Sequence, residues 1–187
     1  MGRVIAGMTM SLDGFVADAN GDVGQLYADF AELAAYPGMA DTIAATGAVV
    51  MGRRTFEMGD PDSYVGSYEF QVPIFVVTTH PPAQPPKQDE RLTFTFVDTG
   101  VKAAITQARV AAGDRDVQIV GGPAVIREAL LEGLVDELHL DVMPVLLGSG
   151  LRPFDDQEMA RISLSLRDIE RQGQRTGFRL TVAREGA

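Results

Sequence analysis

Short apolar runs alternate along this chain with amphipathic or alanine-rich stretches, and polar turns rich in glycine or proline separate them. Arg3 to Met10, apolar and partly β-branched, predicts a first strand ending in the turn Ser11-Leu12-Asp13-Gly14. Asp18 to Gly24 is dense in Asp, Asn and Gly and predicts a loop. Helical spacing runs from about Leu26 to Ala35, breaks at Pro37-Gly38 and resumes from about Met39 to Ala45. Ala48-Val49-Val50-Met51 predicts a buried strand, with a helix from Arg53 to Met58 directly after it. Pro73 to Thr78 and the Thr/Phe alternation of Leu92 to Val97 predict two more strands, separated by the proline-rich loop Pro81 to Gln88. Val101 to Ala112 predicts a helix stopped by Gly113-Asp114. Val117 to Val120 then predicts a strand, and Gly121-Gly122-Pro123 opens a helix to about Leu131. Leu134 to Val145 predicts a strand. Ile162 to Ile169 and Gly177 to Ala183 predict a closing pair of strands around a hairpin at Gln172-Gly173-Gln174.

Strands that alternate with helices and close on a hairpin predict an α/β fold with a mostly parallel sheet and an antiparallel edge. With 187 residues, no internal repeat and no linker-like tract, one domain over residues 1–187 is expected. Sixteen basic residues against 26 acidic ones give a net charge of −10, which disfavours nucleic acid and acidic membrane surfaces as partners. The chain has no cysteine, which excludes disulfides, thiolate catalysis and cysteine-ligated zinc. His80 and His139 lie far apart in sequence, without metal-ligand spacing, so no metal is expected. The opening residues lack the long apolar core of a signal peptide, and no apolar run is long enough to span a bilayer. A cytoplasmic location is the expectation.

In such sheets ligands gather beyond the carboxyl ends of the parallel strands. Gly52, Arg53, Arg54 and Thr55 follow one of these ends. Gly52 allows close backbone approach, Thr55 offers a hydroxyl, and two arginines concentrate positive charge in an acidic protein. Solvated residues at a helix start are the alternative, although arginines there oppose the helix dipole. Gly121, Gly122, Pro123 and Ala124 follow a second strand end, where paired glycines present N–H groups to a pyrophosphate or simply make a tight turn. Thr78, Thr79 and His80 form a third polar cluster, suited to phosphate or to capping a strand end.

Two acids stand out. In Leu138-His139-Leu140-Asp141-Val142, the leucines and the valine share one face, and His139 shares the other with Asp141. An acid within an interior strand either pairs with a cation or faces a wet pocket. Asp13 either makes an Asp-centred turn before Gly14 or serves a ligand at the end of the first strand.

The succession MGRRTFE, VVTT and IVGGPAVIREAL resembles the cofactor-binding elements of dihydrofolate reductases, in the same order. The stretches MTMSLDGFVAD and GLVDELHLDVMPVLLGSGLRPF are more similar still to the reductase domain of riboflavin biosynthesis and its stand-alone relatives. The resemblance covers about Val4 to Phe154 and continues loosely through the terminal hairpin. It implies a dihydrofolate reductase-like three-layer α/β/α fold and NADPH as cofactor. By position, Gly52 to Thr55 would hold the adenosine side, and Thr78, Thr79 and Arg54 would lie near the 2′-phosphate. Gly121 and Gly122, with Pro123 and Ala124 after them, would cradle the pyrophosphate, and Ala6, Val16 and Ala17 would border the nicotinamide. On the substrate side, the tryptophan usual in dihydrofolate reductases is missing, and Asp29 or Glu32 would offer the helical carboxylate. Asp13 and Asp141 become the candidate catalytic acids.

The implied reaction is hydride transfer to a small polar substrate. Reduction of the phosphoribosylaminopyrimidine of riboflavin biosynthesis leads, with dihydrofolate or pterin reduction as the alternative and an NADP-binding protein without turnover as a third reading. The sequence carries no His/Cys zinc signature of the deaminase that often accompanies the first. Relatives commonly form homodimers, and the apolar stretch Val142 to Leu147 is either part of an interface or a core strand.

Overall fold

The computed structural model describes residues 2–34, 36–155 and 157–183. Its strands are β1 (Val4–Ser11), β2 (Thr46–Gly52), β3 (Ile74–Val77), β4 (Phe94–Val97), β5 (Asp116–Ile119), β6 (Glu137–Met143), β7 (Leu164–Gln172) and β8 (Arg175–Val182). They form one eight-stranded sheet in the order β4-β3-β2-β5-β1-β6-β8-β7. From β4 through β6 every pairing is parallel, and β8 and β7 add antiparallel. The carboxyl ends of six strands therefore lie along one edge, where ligand sites of open α/β sheets form.

Strands buried on both faces read as continuous apolar runs, and β2 is buried along its whole length. One face of the sheet is covered by α5 (Val101–Ala112) and α6 (Pro123–Leu131). Their apolar stripes pack Ile105 and Ile126 into a core with Val4, Val50 and Ile119. The opposite face carries α1 (Phe30–Ala34), α2 (Pro37–Ala45), α3 (Arg53–Phe56) and a single irregular turn, α4 (Tyr64–Ser67). Here Phe56, Tyr64, Phe70 and Leu92 cover Val49, Met51 and Ile74. Phe56 meets Phe94 edge-on at 5.4 Å and Phe96 at 5.5 Å. Among the described residues no helix is long and apolar enough to cross a membrane.

Several element bounds differ from the sequence expectation. The helix expected over Leu26 to Ala35 is a 3-10 turn, Gly24–Tyr27, followed by the short α1, because Asp29 between them is drawn into the sheet by an arginine; Ala35 lies outside the described residues. The helix expected from Arg53 to Met58 is one turn, ending at Phe56. β6 stops at Met143, since Pro144 has no N–H for the ladder. The hairpin turn closes on Gly173 and Gln174, and β8 starts at Arg175, two residues earlier than its apolar pattern. Gly173 takes φ +60°, which this tight turn requires.

Candidate active site

Two of the sequence-predicted phosphate segments meet in space. β2 and β5 are neighbours, so Gly52 and Gly121 leave the sheet side by side, and the Gly52 N–H donates to the Gly121 carbonyl at 3.2 Å. Gly121 takes φ +106° and is joined to Gly122 by a cis peptide bond. The Thr55 hydroxyl lies over both glycines: a Cβ would come to 3.2 Å from it at Gly121 and 3.5 Å at Gly122. On Gly52 a Cβ would meet Val125 Cγ2 at 3.2 Å. Backbone is therefore bare where a side chain would crowd Thr55 and Val125. Gly122 caps α6 and Pro123, which has no N–H, is its first residue; the Val125 and Ile126 N–H groups donate to the Gly122 carbonyl at 3.0 and 3.2 Å. α3 is too short to contribute a comparable dipole.

The other members of that set are dispersed around this junction. Arg53 pairs with Glu57 at 2.7 Å on the surface. Arg54 is exposed and has no ion-pair partner among the described residues. Val77 is in register with Gly52, so Thr78 lies one residue beyond the same junction. Thr78 is buried and accepts the His80 N–H at 3.0 Å, while the Thr79 hydroxyl contacts His80 Nδ1 at 2.8 Å. Ala124 is exposed. Ala6 packs into the core beneath α5 and α6. Val16 and Ala17 run beside Leu151, with the Val16 N–H on the Leu151 carbonyl at 2.9 Å.

Next to the junction opens a cleft of about 750 Å³ on the face that carries α1 to α4. Gly7 and Thr9 of β1 and His139 and Asp141 of β6 form its floor; Tyr27, Phe30 and Met39 stand on one side, and Glu170 and Gln172 of β7 on the other. Thr55 lines both the cleft and the glycine junction. Several charges in the cleft are held in pairs. Arg179 donates to Asp141 at 2.9 Å and to Glu170 at 2.9 Å. Gly177 makes room for this pair, because a Cβ there would lie 2.8 Å from the guanidinium and 2.9 Å from Asp141 Oδ1. Lower on the same face, Glu137 accepts from Arg3, Arg167 and His139. Burial alone would raise the Glu137 pKa, but His139 and Arg3 outweigh it and hold the group below the ordinary carboxylate value. Burial pushes the His139 pKa down.

Asp29 is sealed. It is buried under Arg175, whose Nε donates to its two oxygens at 3.1 and 2.9 Å; the remaining Arg175 groups reach the Thr9 hydroxyl at 2.8 Å and the Leu26 carbonyl at 2.9 Å. Hydrogen bonding to Arg175 lowers the Asp29 pKa. The pair ties the 24–34 segment to β8 and sets Tyr27 over the guanidinium at 5.3 Å. Glu32 is exposed and lies by the Gly173 turn, outside the cleft. Asp13 accepts from the Ser11 hydroxyl at 2.6 Å and from the N–H groups of Gly148 and Leu147 at 2.7 and 3.1 Å. The Ser11 bond first, then these backbone donors, lower its pKa to about 2. Its carboxylate pins the 145–148 loop to the end of β1. In that loop Leu146 is 69% exposed, whereas Met143 before it is buried, so the Val142 to Leu147 stretch is part strand and part surface.

The sequence reading missed Arg175, Arg179, Glu170 and Tyr27. A signal for the first two existed: Arg175, Gly177 and Arg179 recur at the period of a strand and so share one face.

The chain matches the model of the RibD C-terminal domain over residues 3–178. It belongs to that family. It is 28% identical over 154 residues to YwjB of Bacillus subtilis strain 168, an uncharacterized protein, covering 82% of this chain and 83% of YwjB. Among solved structures it is similar to the Putative riboflavin biosynthesis protein of Shewanella sp. PV-4, with a TM-score of 0.75, 23% identity and 97% and 99% of the two chains covered. It is also similar to a Thermotoga maritima diaminohydroxyphosphoribosylaminopyrimidine deaminase/5-amino-6-(5-phosphoribosylamino)uracil reductase, with a TM-score of 0.69 and 16% identity; the match spans 97% of this chain and 57% of that one. The RibD C-terminal fold is thus the dihydrofolate reductase-like α/β/α arrangement expected from the sequence, closed by an antiparallel hairpin.

Proposed function

We propose that this protein is an NADPH-dependent reductase of the riboflavin-pathway kind, transferring a hydride to a C=N or C=O carbon of a small polar substrate. The observation that carries the reading is the junction of Gly52, Thr55, Gly121 and Gly122 at the carboxyl ends of β2 and β5, opening onto the cleft. Bare backbone, a hydroxyl and the start of α6 suit a dinucleotide's phosphates, and Arg54 with Thr78 offers a cation and a hydroxyl to a 2′-phosphate. When bound, NADPH would supply the hydride. The chain's residues bind and orient the acceptor in the cleft and keep bulk water from its reacting face. Asp141 orients the substrate from the floor. Asp13, ionised at any pH well above 2, holds the 145–148 loop and carries no proton to deliver near neutrality, so protonation comes from water in the cleft. A cytoplasmic location and a second copy of the chain as partner complete the reading; the free edge of β7, with Leu164, Leu166 and Ile169 exposed, supports the latter.

Titration with NADPH and, separately, NADH tests it, followed by nicotinamide fluorescence. NADPH binds more tightly, and Arg54→Ala weakens it by about tenfold or more, as loss of a charge-assisted hydrogen bond does. Arg53→Ala has the smaller effect, because Arg53 already pairs with Glu57. Absence of binding to either nucleotide removes the reading. NADPH oxidation with 5-amino-6-(5-phosphoribosylamino)uracil, and then with dihydrofolate, separates the two substrate readings; tight NADPH binding with turnover of no substrate leaves an NADP-binding protein.

A further inference from the structure

The cleft carries its own statement about the substrate, through which of its polar atoms remain free. Its described lining includes three arginines, Arg3, Arg167 and Arg179, against five carboxylates, Glu69, Glu137, Asp141, Asp168 and Glu170. The arginine donors facing the floor are already engaged. Both terminal nitrogens of Arg179 are on carboxylates, and Arg3 is divided between Asp116 and Glu137. Arg167 sits at the exposed rim with one nitrogen on the same Glu137. The acceptors are less committed. Asp141 Oδ2 and Glu170 Oε1 take no hydrogen bond from any described residue, their partner oxygens being the ones that meet Arg179.

A phosphate group offers acceptors alone and about two negative charges near neutral pH. Placed on the floor it would face carboxylates in excess, and binding it there would require breaking an ion pair of Arg3 or Arg179, since the unused nitrogens of Arg167 belong to a side chain at the exposed rim. An amino-substituted ring offers N–H donors, which these free carboxylate oxygens can accept in pairs. Shape agrees with charge. Gly7 lies in the middle of the floor, where an added Cβ would meet no atom within 4 Å. Bare backbone there leaves a flat bed, flanked by Tyr27 and by Phe30, which is 58% exposed and free to stack on a ring.

We infer that the cleft selects an unphosphorylated, donor-rich amino-heterocycle, neutral or cationic, and discriminates against phosphoribosyl substrates. This rests on reading the cleft as the substrate site of a reductase, and it narrows that reading to one substrate class.

Calorimetric titration of the cofactor-free protein at low salt tests the inference, with 2,4-diaminopyrimidine and ribose 5-phosphate as probes. The diaminopyrimidine binds, and an Asp141→Asn, Glu170→Gln double variant weakens it by about tenfold or more, the loss expected for hydrogen bonds to charged groups. Glu170→Gln alone weakens it less and leaves the Asp141–Arg179 pair to hold the fold. Gly7→Ala, whose methyl meets no atom of the free protein, weakens the probe several-fold at an unchanged urea midpoint. Ribose 5-phosphate gives no heat. The inference is overturned if ribose 5-phosphate binds as tightly as the diaminopyrimidine, if the diaminopyrimidine does not bind, or if its affinity is indifferent to both the double variant and Gly7→Ala. Turnover of the phosphoribosylaminopyrimidine would also overturn it while upholding the reductase reading, whereas failure to bind NADPH would remove the reductase and leave the probe result standing.

Discussion

The two halves of the sheet face that carries α1 to α4 are built to opposite rules. Over β3 and β2 the face is sealed by Phe56, Tyr64, Phe70 and Leu92, all buried, with aromatic rings meeting edge to face. Over β1, β6, β8 and β7 the same face is polar, its charges are paired across strands, and it stays open. The first half converts burial into stability. The second keeps hydrogen-bonding capacity available, and within it Asp29, buried under Arg175, holds a wall in place. On this face the packed aromatic half is structural, and the polar half holds the candidate site.

That contrast predicts a ranking of mutational costs. Phe56→Ala should cost the most, about 3–5 kcal/mol by urea unfolding, since a large ring leaves a cavity in a packed cluster. Arg175→Met should follow at about 3 kcal/mol, because it strands the buried Asp29 carboxylate; an added Asp29→Leu should recover a large part of that loss. Glu170→Gln, in the open half, should cost less than about 1 kcal/mol, as for other partly exposed pairs. If Glu170→Gln proved as destabilising as Phe56→Ala, the division between a structural and a functional half would fail.

Acidity sharpens the same division, with the smallest effect. Burial depresses the His139 pKa, so its folded value lies below the unfolded value of about 6.5. The stability it contributes is complete above that unfolded value and declines as pH falls through it toward the folded one. The Asp29 pKa is also depressed, by Arg175, so its contribution is complete above about 3.9 and is lost only as pH falls further, through the folded value. Urea midpoints at pH 8, 6 and 5 should therefore decline gently in the native protein and stay flatter in His139→Gln. A His139→Gln profile as steep as the native one would assign the decline to another group.

Most of the parallel sheet was legible because its strands are buried on both faces and spell themselves as apolar runs, as at Ala48 to Met51 and Ile74 to Val77. The glycine junction was legible for a related reason. Bare backbone at a strand end is a local requirement, and local requirements leave marks in sequence. The role of Arg175 was not: its strand period with Gly177 and Arg179 is visible, but its partner Asp29 is 146 positions away. For the same reason Asp29 passed for a free substrate carboxylate. The division of Asp141 between Arg179 and the cleft likewise depends on a strand that pairs with β6 from the other end of the chain. Long-range electrostatic pairing has no sequence period.

The Arg175 anchor also sets an order of assembly. The wall bearing Tyr27 is synthesised early, yet the residue that fastens it belongs to the last strand, and the cleft's far side is that strand's hairpin. The glycine junction, by contrast, closes with residues 52 to 125. During synthesis the residues of this junction emerge while most of the cleft does not yet exist. Loss of the final hairpin would thus leave the glycine junction in place and strip the proposed acceptor cleft of its far side.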